Sequence, residues 1–225
     1  MEYRVKKNPL KVYFENNKGR KIDKWMHYFD AYDRHLTRFR KKKITVVEFG
    51  VQNGGSLQMW RKYFGKKARY IGVDIDPRCK ILEKDGFEIY IGDQEDRNFL
   101  KMLTKVIGKI DVLIDDGGHT MGQQIATFEE LYPYVAETGV FLVEDTHTSY
   151  WKRFDAGYKQ KHTFMEYTKN LVDEINAWHS ETSKLKVTDF TKTTRSITFY
   201  DSIVVFEKGN SHKAPVRRQT GEASF

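Results

Sequence analysis

Residues 44–56 read ITVVEFGVQNGGS, a short β-branched run that closes on Glu48 and Phe49 and opens into a glycine-rich turn. The run Ile44–Phe49 is too short for a helix and predicts a buried strand. Ser56–Phe64 follows at helical length, so the chain reads strand, glycine turn, helix. The same unit recurs downstream. Tyr70–Ile75, Phe87–Ile91, Val112–Ile114 and Val140–Val143 predict further strands, with helices over Arg78–Lys84, Asn98–Ile107 and Gly122–Val135 between them. This alternation predicts an α/β, Rossmann-like fold with a mostly parallel sheet and helices on both faces. Only Asp201 separates Ser196–Tyr200 from Ser202–Glu207. That gap is too short for a crossover, so the last two strands should form an antiparallel pair and bring the sheet to seven.

Outward from this block, Trp25, Tyr28, Phe29, Tyr32, Leu36 and Phe39 recur every three or four residues and predict an amphipathic helix over Asp23–Arg40. Its aromatic stripe either supports a homo-oligomer interface or covers the sheet. A last helix is expected over His162–His179. Beyond Gly209 the composition turns to Asn, Ser, Lys, Pro, Arg and Gln, which predicts a flexible tail over 210–225. The chain thus divides into a basic N-terminal segment (1–43), a main domain (44–209) and the tail.

The formal net charge of +8 is unevenly placed: residues 1–43 hold 14 Lys/Arg against 5 Asp/Glu, and the remainder 25 against 26. A protein that grips a phosphate backbone needs a basic stripe across its working face, and the neutral main domain offers none, so nucleic acid is not the expected substrate. Apolar runs of five or six residues fall far short of the roughly 20 needed to span a bilayer. The charged start MEYRVKKNPLKVYFENN carries no apolar leader core, and Cys79 is alone. A reducing cytoplasm is the expected compartment.

Ligands of an open parallel sheet bind beyond the carboxyl ends of its strands. After the first strand, Glu48, Gly50, Asn53 and Ser56 belong to a turn that lets a ligand approach the backbone, although its GxxxGG spacing departs from the GxGxxG of a pyrophosphate clamp. After the second, Asp74 stands where an acid accepts both hydrogen bonds of a ribose diol. After the third, Asp93 and Gln94 offer side chains to an adenine edge, whereas Asp96 suits a helix N-cap before Asn98. This pocket order is the one expected for S-adenosylmethionine. The fourth and fifth strands end in Asp115-Asp116-Gly117-Gly118-His119 and Glu144-Asp145-Thr146-His147. Four carboxylates at one rim repel each other unless protonated or shared by a cation, and oxygen ligands without sulfur suit Mg²⁺.

The stretches EFGVQNGGS, YIGVDIDP, IGDQED, LIDDGGH and VEDTHTSYW together resemble the class I S-adenosylmethionine-dependent methyltransferases, and among them the Mg²⁺-dependent sugar O-methyltransferases of macrolide biosynthesis. The resemblance is closest over residues 20–151, and FYDSIVVFEK is similar to that family's final strand pair. It implies an O-methyltransferase that uses S-adenosylmethionine and Mg²⁺ on a hydroxyl of a sugar or other vicinal-diol acceptor. Asp116, Glu144 and Asp145 fall on the family's metal ligands and His119 on its general base. Asp115 then contacts the cofactor or supports a ligand, though it could exchange roles with Asp116. DKWMHYFDAY resembles a segment that folds over the active site, which puts Lys24, His27 and Tyr28 near cofactor or substrate. His147 and Trp151 either line the acceptor pocket or are packed, satisfied side chains. Two other functions are compatible with the same fold: a hydroxylase-like tailoring protein, which would need an iron triad such as His119, His147 and Asp116, and a non-catalytic S-adenosylmethionine-binding protein.

Overall fold

Strand β1 (Thr45–Phe49) has four of its five residues buried, as a β-branched run covered on both faces requires. The computed structural model describes residues 8–209 and 213–222. The further strands are β2 (Arg69–Asp74), β3 (Glu88–Ile91), β4 (Ile110–Asp115), β5 (Val135–Val143), β6 (Thr194–Tyr200) and β7 (Ile203–Lys208). They form one seven-stranded sheet in the order β3-β2-β1-β4-β5-β7-β6. Strands β1 to β5 are parallel, and β7 runs antiparallel between β5 and β6, as the short Asp201 connection demands.

Successive strand residues point to opposite faces, and the core divides accordingly. Val46, Val112, Ile114, Val140, Leu142 and Val205 meet the helices α1 (Pro9–Glu15), α2 (Tyr28–Leu36) and α3 (Gly55–Phe64). Val47, Leu113, Phe141, Val143, Val204 and Phe206 meet α4 (Arg97–Ile107), α5 (Met121–Leu131) and α6 (Phe164–Ile175). A five-residue helix, α7 (Asp189–Thr193), leads into β6.

Several boundaries differ from the sequence expectation, each for a local reason. The helix expected over Asp23–Arg40 begins only at Tyr28 and closes in a 3-10 turn over Thr37–Phe39. Residues 21–25 form no regular element; Trp25 is exposed, and Lys24 is drawn toward the sheet rather than along a helix stripe. Pro77–Asp85 is a 3-10 helix, not an α-helix, and Asp76 caps it by accepting a hydrogen bond from Arg78 N. Pro133 lies in a 3-10 turn, Tyr132–Tyr134, that follows α5, and β5 starts at Val135 with two exposed residues before its buried part. The helix expected over His162–His179 stops as α6 at Ile175, before Asn176. Neither α1 nor α7 was expected. Of the expected tail, residues 213–222 are exposed without regular structure, while 210–212 and 223–225, like 1–7 of the basic segment, lie outside the described residues. Among the described residues no helix is long and apolar enough to cross a membrane.

Candidate active site

Parallel register brings the acids together. Phe49 is paired with Asp115, and Asp115 with Val143, so the next residue of each strand end, Gly50, Asp116 and Glu144, emerges at one level. Gly50 has φ +79°, and a Cβ there would lie 1.9 Å from the Asp116 carbonyl oxygen. Only glycine lets the β1 and β4 ends approach this closely. A cavity of about 390 Å³ opens above them, walled by Gly50, Gln52 and Ser56 on the β1 side and by Asp116, His119, Glu144 and Asp145 on the other; Lys21–Trp25 and Tyr28 pass across it.

The acids in this centre are buried to different depths. Asp115 and Glu144 have no exposed surface, while Asp116 and Asp145 are half-buried. Between them lies the Lys24 ammonium, 2.5 Å from Asp116 Oδ2 and 2.8 Å from Glu144 Oε2. Burial works against that ammonium, but Asp116 and Glu144 outweigh it and hold Lys24 charged. Burial pushes the carboxyls up, Asp116 to about 7 and Glu144 to about 8, even though Lys24 opposes it. Glu144 Oε1 and Asp115 Oδ2 are buried without a hydrogen-bond partner among the described residues. One lysine therefore does not satisfy the centre. Oxygen donors crowded in a dry site, with an orphaned carboxylate oxygen among them, fit a divalent cation.

His119 approaches from the loop after β4, its Nε2 3.3 Å from Asp145 Oδ2 and 3.9 Å from Asp116 Oδ1. Both His119 (φ +59°) and Asp145 (φ +53°) adopt the left-handed conformation, which costs a non-glycine residue of the order of 1–3 kcal/mol and marks sites held by their surroundings. Thr148 Oγ1 donates to the His119 carbonyl at 2.8 Å, and Tyr28 donates its hydroxyl to Asp145 Oδ1 at 2.5 Å. Burial lowers the His119 pKa below the usual imidazole value, against the pull of Asp145, so its ring is neutral at pH 7. One atom each of Asp116, His119 and Asp145 lies within 4.8 Å of the others, close enough for one metal ion to reach all three, and Glu144 is not among them. His147 is outside that group. It turns its Nδ1 to Ser202 Oγ and lies edge-on to Trp25 and Trp151, so the His119, His147, Asp116 iron triad is not assembled.

The other expected site residues divide into those that reach a cavity and those that do not. Asp74 accepts from Gln52 N (2.9 Å) and Asp76 N (3.0 Å), pins the glycine turn to β2, and lines two further cavities of about 170 and 480 Å³. Gln94 lines the smaller and Asn53 the larger. Gln94 also donates to Asp115 Oδ1 at 2.6 Å and accepts from Gly118 N. A Cβ on Gly117 would sit 1.9 Å from Gln94 Oε1, so a side chain there would displace the Gln94 amide. Asp115 supports this wall from beneath, its pKa lifted by burial to about 7. Glu48 lines no cavity; its carboxylate accepts from Ser56 Oγ (2.8 Å) and Trp60 Nε1 (2.9 Å) inside the core. Asp93 is exposed and accepts from Glu95 N, and Asp96 caps α4 as expected. His27 meets the Asp201 carbonyl oxygen, and Trp151 is partly exposed beside His147, both away from the cavity walls. Gln52, Trp25 and Ser202 were not named as site residues from the sequence, although Gln52 lies in the glycine turn and Trp25 in the segment expected to cover the site; Ser202 joins the site only because β7 pairs with β5.

Comparison with known proteins agrees with this fold. Residues 47–146 match the family model of a methyltransferase domain. The chain is 38% identical over 169 residues to the 8-demethyl-8-alpha-L-rhamnosyl tetracenomycin-C 2'-O-methyltransferase of Streptomyces olivaceus, a match covering 71% of this chain and 44% of the relative. It is 34% identical over 166 residues to the demethylmacrocin O-methyltransferase of Streptomyces fradiae, covering 68% and 41%. Among solved structures, MycE methyltransferase from the mycinamycin biosynthetic pathway, in complex with Mg, SAH and mycinamycin VI, superposes with a TM-score of 0.80 at 25% identity, covering 96% of this chain and 57% of that one. The chain spans about half the length of these relatives. With the sheet in agreement with these matches, the chain belongs to the class I S-adenosylmethionine-dependent methyltransferases and is similar, within them, to the sugar O-methyltransferases of macrolide biosynthesis.

Proposed function

We propose that this chain transfers a methyl group from S-adenosylmethionine to a hydroxyl of a sugar or other vicinal-diol acceptor with the help of Mg²⁺, and that His119 is the general base. The observation that carries this reading is the group Asp116, His119 and Asp145, set in one wall of a cavity whose other wall is the glycine turn. When bound, the donor supplies an electrophilic methyl carbon, and the divalent ion makes negative charge on an acceptor oxygen less costly.

The chain's own residues do the rest. Asp74 and the turn from Gly50 to Ser56 hold the donor, with Gln94 at its adenine and Asp115 bracing that wall. Asp116, Glu144 and Asp145 hold the metal. His119 Nε2, neutral at pH 7, takes the proton from the acceptor hydroxyl; a positioned base of this kind contributes about 10² to 10⁴ in rate. Asp145, 3.3 Å from that same nitrogen, favours the imidazolium once the proton has arrived, and Tyr28 fixes Asp145. Residues 21–25, crossing the cavity, limit the access of water and bear on the acceptor.

The test is mass spectrometry of rhamnosylated polyketide acceptors incubated with isotopically labelled donor, Mg²⁺ and the protein. The expected result is one labelled methyl per acceptor, lost after EDTA treatment and restored by Mg²⁺. Donor binding without transfer to any vicinal-diol glycoside would refute the proposal. Transfer that survives complete chelation would remove the metal from it.

A further inference from the structure

Lys24 stands between two of the three carboxylates proposed to hold the metal. Its side chain is 2% exposed, and its ammonium bridges Asp116 Oδ2 and Glu144 Oε2 at 2.5 and 2.8 Å. Both carboxylates belong to the set proposed to hold the divalent ion, and the second oxygen of Glu144 has no partner among the described residues. An ammonium and a divalent ion cannot share these oxygens. Their positive charges repel strongly at such range in a dry site, and each lone pair directed at Nζ is lost to a metal. We infer that Lys24 is a tethered counter-ion, which fills the metal position in the metal-free protein and is displaced from it when the divalent ion binds. This rests on the metal reading above.

The chain around Lys24 suits such a displacement. Residues 21–25 belong to no helix or strand, so the lysine can withdraw without breaking a hydrogen-bond ladder. The segment is anchored at both sides, by the Arg20 ion pair to Asp85 at 2.9 Å and by Tyr28 on Asp145. Motion is thereby confined to the stretch that walls the cavity, which all of residues 21–25 line. Metal occupancy and the shape of the acceptor cavity are consequently linked. Without metal, the lysine also balances buried charge that would otherwise destabilise the fold.

The decisive experiment uses the wild-type chain. Metal-stripped protein is pulsed with an amine-acetylating reagent with and without saturating Mg²⁺, modification is read by peptide mass spectrometry, and metal occupancy is followed by Mn²⁺ paramagnetic resonance. Without metal, Lys24 should react at least about tenfold more slowly than the exposed Lys66, and Mg²⁺ should accelerate Lys24 while leaving Lys66 unchanged. A Lys24 rate indifferent to saturating metal overturns the inference and leaves the metal reading standing. A protein that binds no Mn²⁺ overturns both. The Lys24→Met variant adds an independent readout: it should bind Mn²⁺ about tenfold more tightly and melt at a lower temperature than wild type only when metal is absent. Equal or weaker Mn²⁺ affinity in a folded variant also overturns the inference.

Discussion

Asp74, Asp93 and Asp96 stand at or just beyond the carboxyl ends of β2 and β3; Asp115, Asp116 and Glu144 stand at or just beyond those of β4 and β5. The residue types match, yet their physical states are opposite. The first three accept hydrogen bonds from nearby backbone N–H groups, and Asp93 and Asp96 are open to solvent. Burial raises the pKa of all of the second three: Asp116 and Glu144 lie behind α2 and the segment before it and share one lysine, and Asp115 is buried on the opposite side against Gln94. The difference lies in what covers each rim. A strand-end acid is satisfied by backbone N–H groups where water reaches it and needs a side-chain partner where the chain folds over it.

The sharpest test of that contrast is chemical. His119→Ala should lower kcat by about 10² to 10⁴ while donor binding and Mn²⁺ binding persist, because the imidazole stands beside the carboxylates and proton removal is its proposed task. A variant at full speed would separate the buried rim from catalysis. Next in size is stability: Glu144→Ala leaves Lys24 with one partner in the buried centre and should cost about 3–5 kcal/mol in urea unfolding of the metal-free protein.

The buried rim should also respond to pH in a direction the open rim does not. Glu48, Asp115 and Asp116 are raised to about 7 and Glu144 to about 8, so between the ordinary carboxylate range and pH 8 the folded chain binds protons that the unfolded chain has lost. Stability of the metal-free protein therefore falls as pH rises through this window, with lowered His119 opposing it over the range just below 6.5. A drop in melting temperature of about 5 °C from pH 6 to pH 8, removed by Mg²⁺, is expected; at this chain length that corresponds to about 2 kcal/mol. A melting temperature that climbs across the same interval without metal would contradict the assignment. The smallest effects belong to the open rim, where Asp96→Ala should cost about 1 kcal/mol as a lost N-cap and Asp93→Ala about 0.5 kcal/mol or less by the same unfolding assay.

The strands were legible because each is a β-branched run covered on both sides, and the order of motifs along the chain was enough to expect the parallel block and the closing antiparallel pair. Element ends were less legible. At Asp23–Tyr28 the helical periodicity is genuine, but the pairing of Lys24 with acids 92 and 120 residues away overrides it. At the site, the acid pairs after β4 and β5 were readable from their position alone. Their inequality was not, since Asp115 and Asp116 are neighbours in sequence and differ only in which way the strand end turns them. Glu48 shows the same limit from the other side: it ends a strand as the motif requires, and Ser56 and Trp60 on α3 draw its carboxylate into the core.

By itself the amino-acid order determined what is local or periodic: strand and helix alternation, the glycine turn, the caps, and the presence of acids at strand ends. The tertiary structure alone decided which acids are dry, that Lys24 lies among them, that His119 faces Asp145, and that Ser202 reaches Tyr28 and His147. The physical reason is range. Backbone preference and side-chain periodicity act over a few residues, whereas burial and charge pairing depend on groups that the chain brings together across a hundred residues or more.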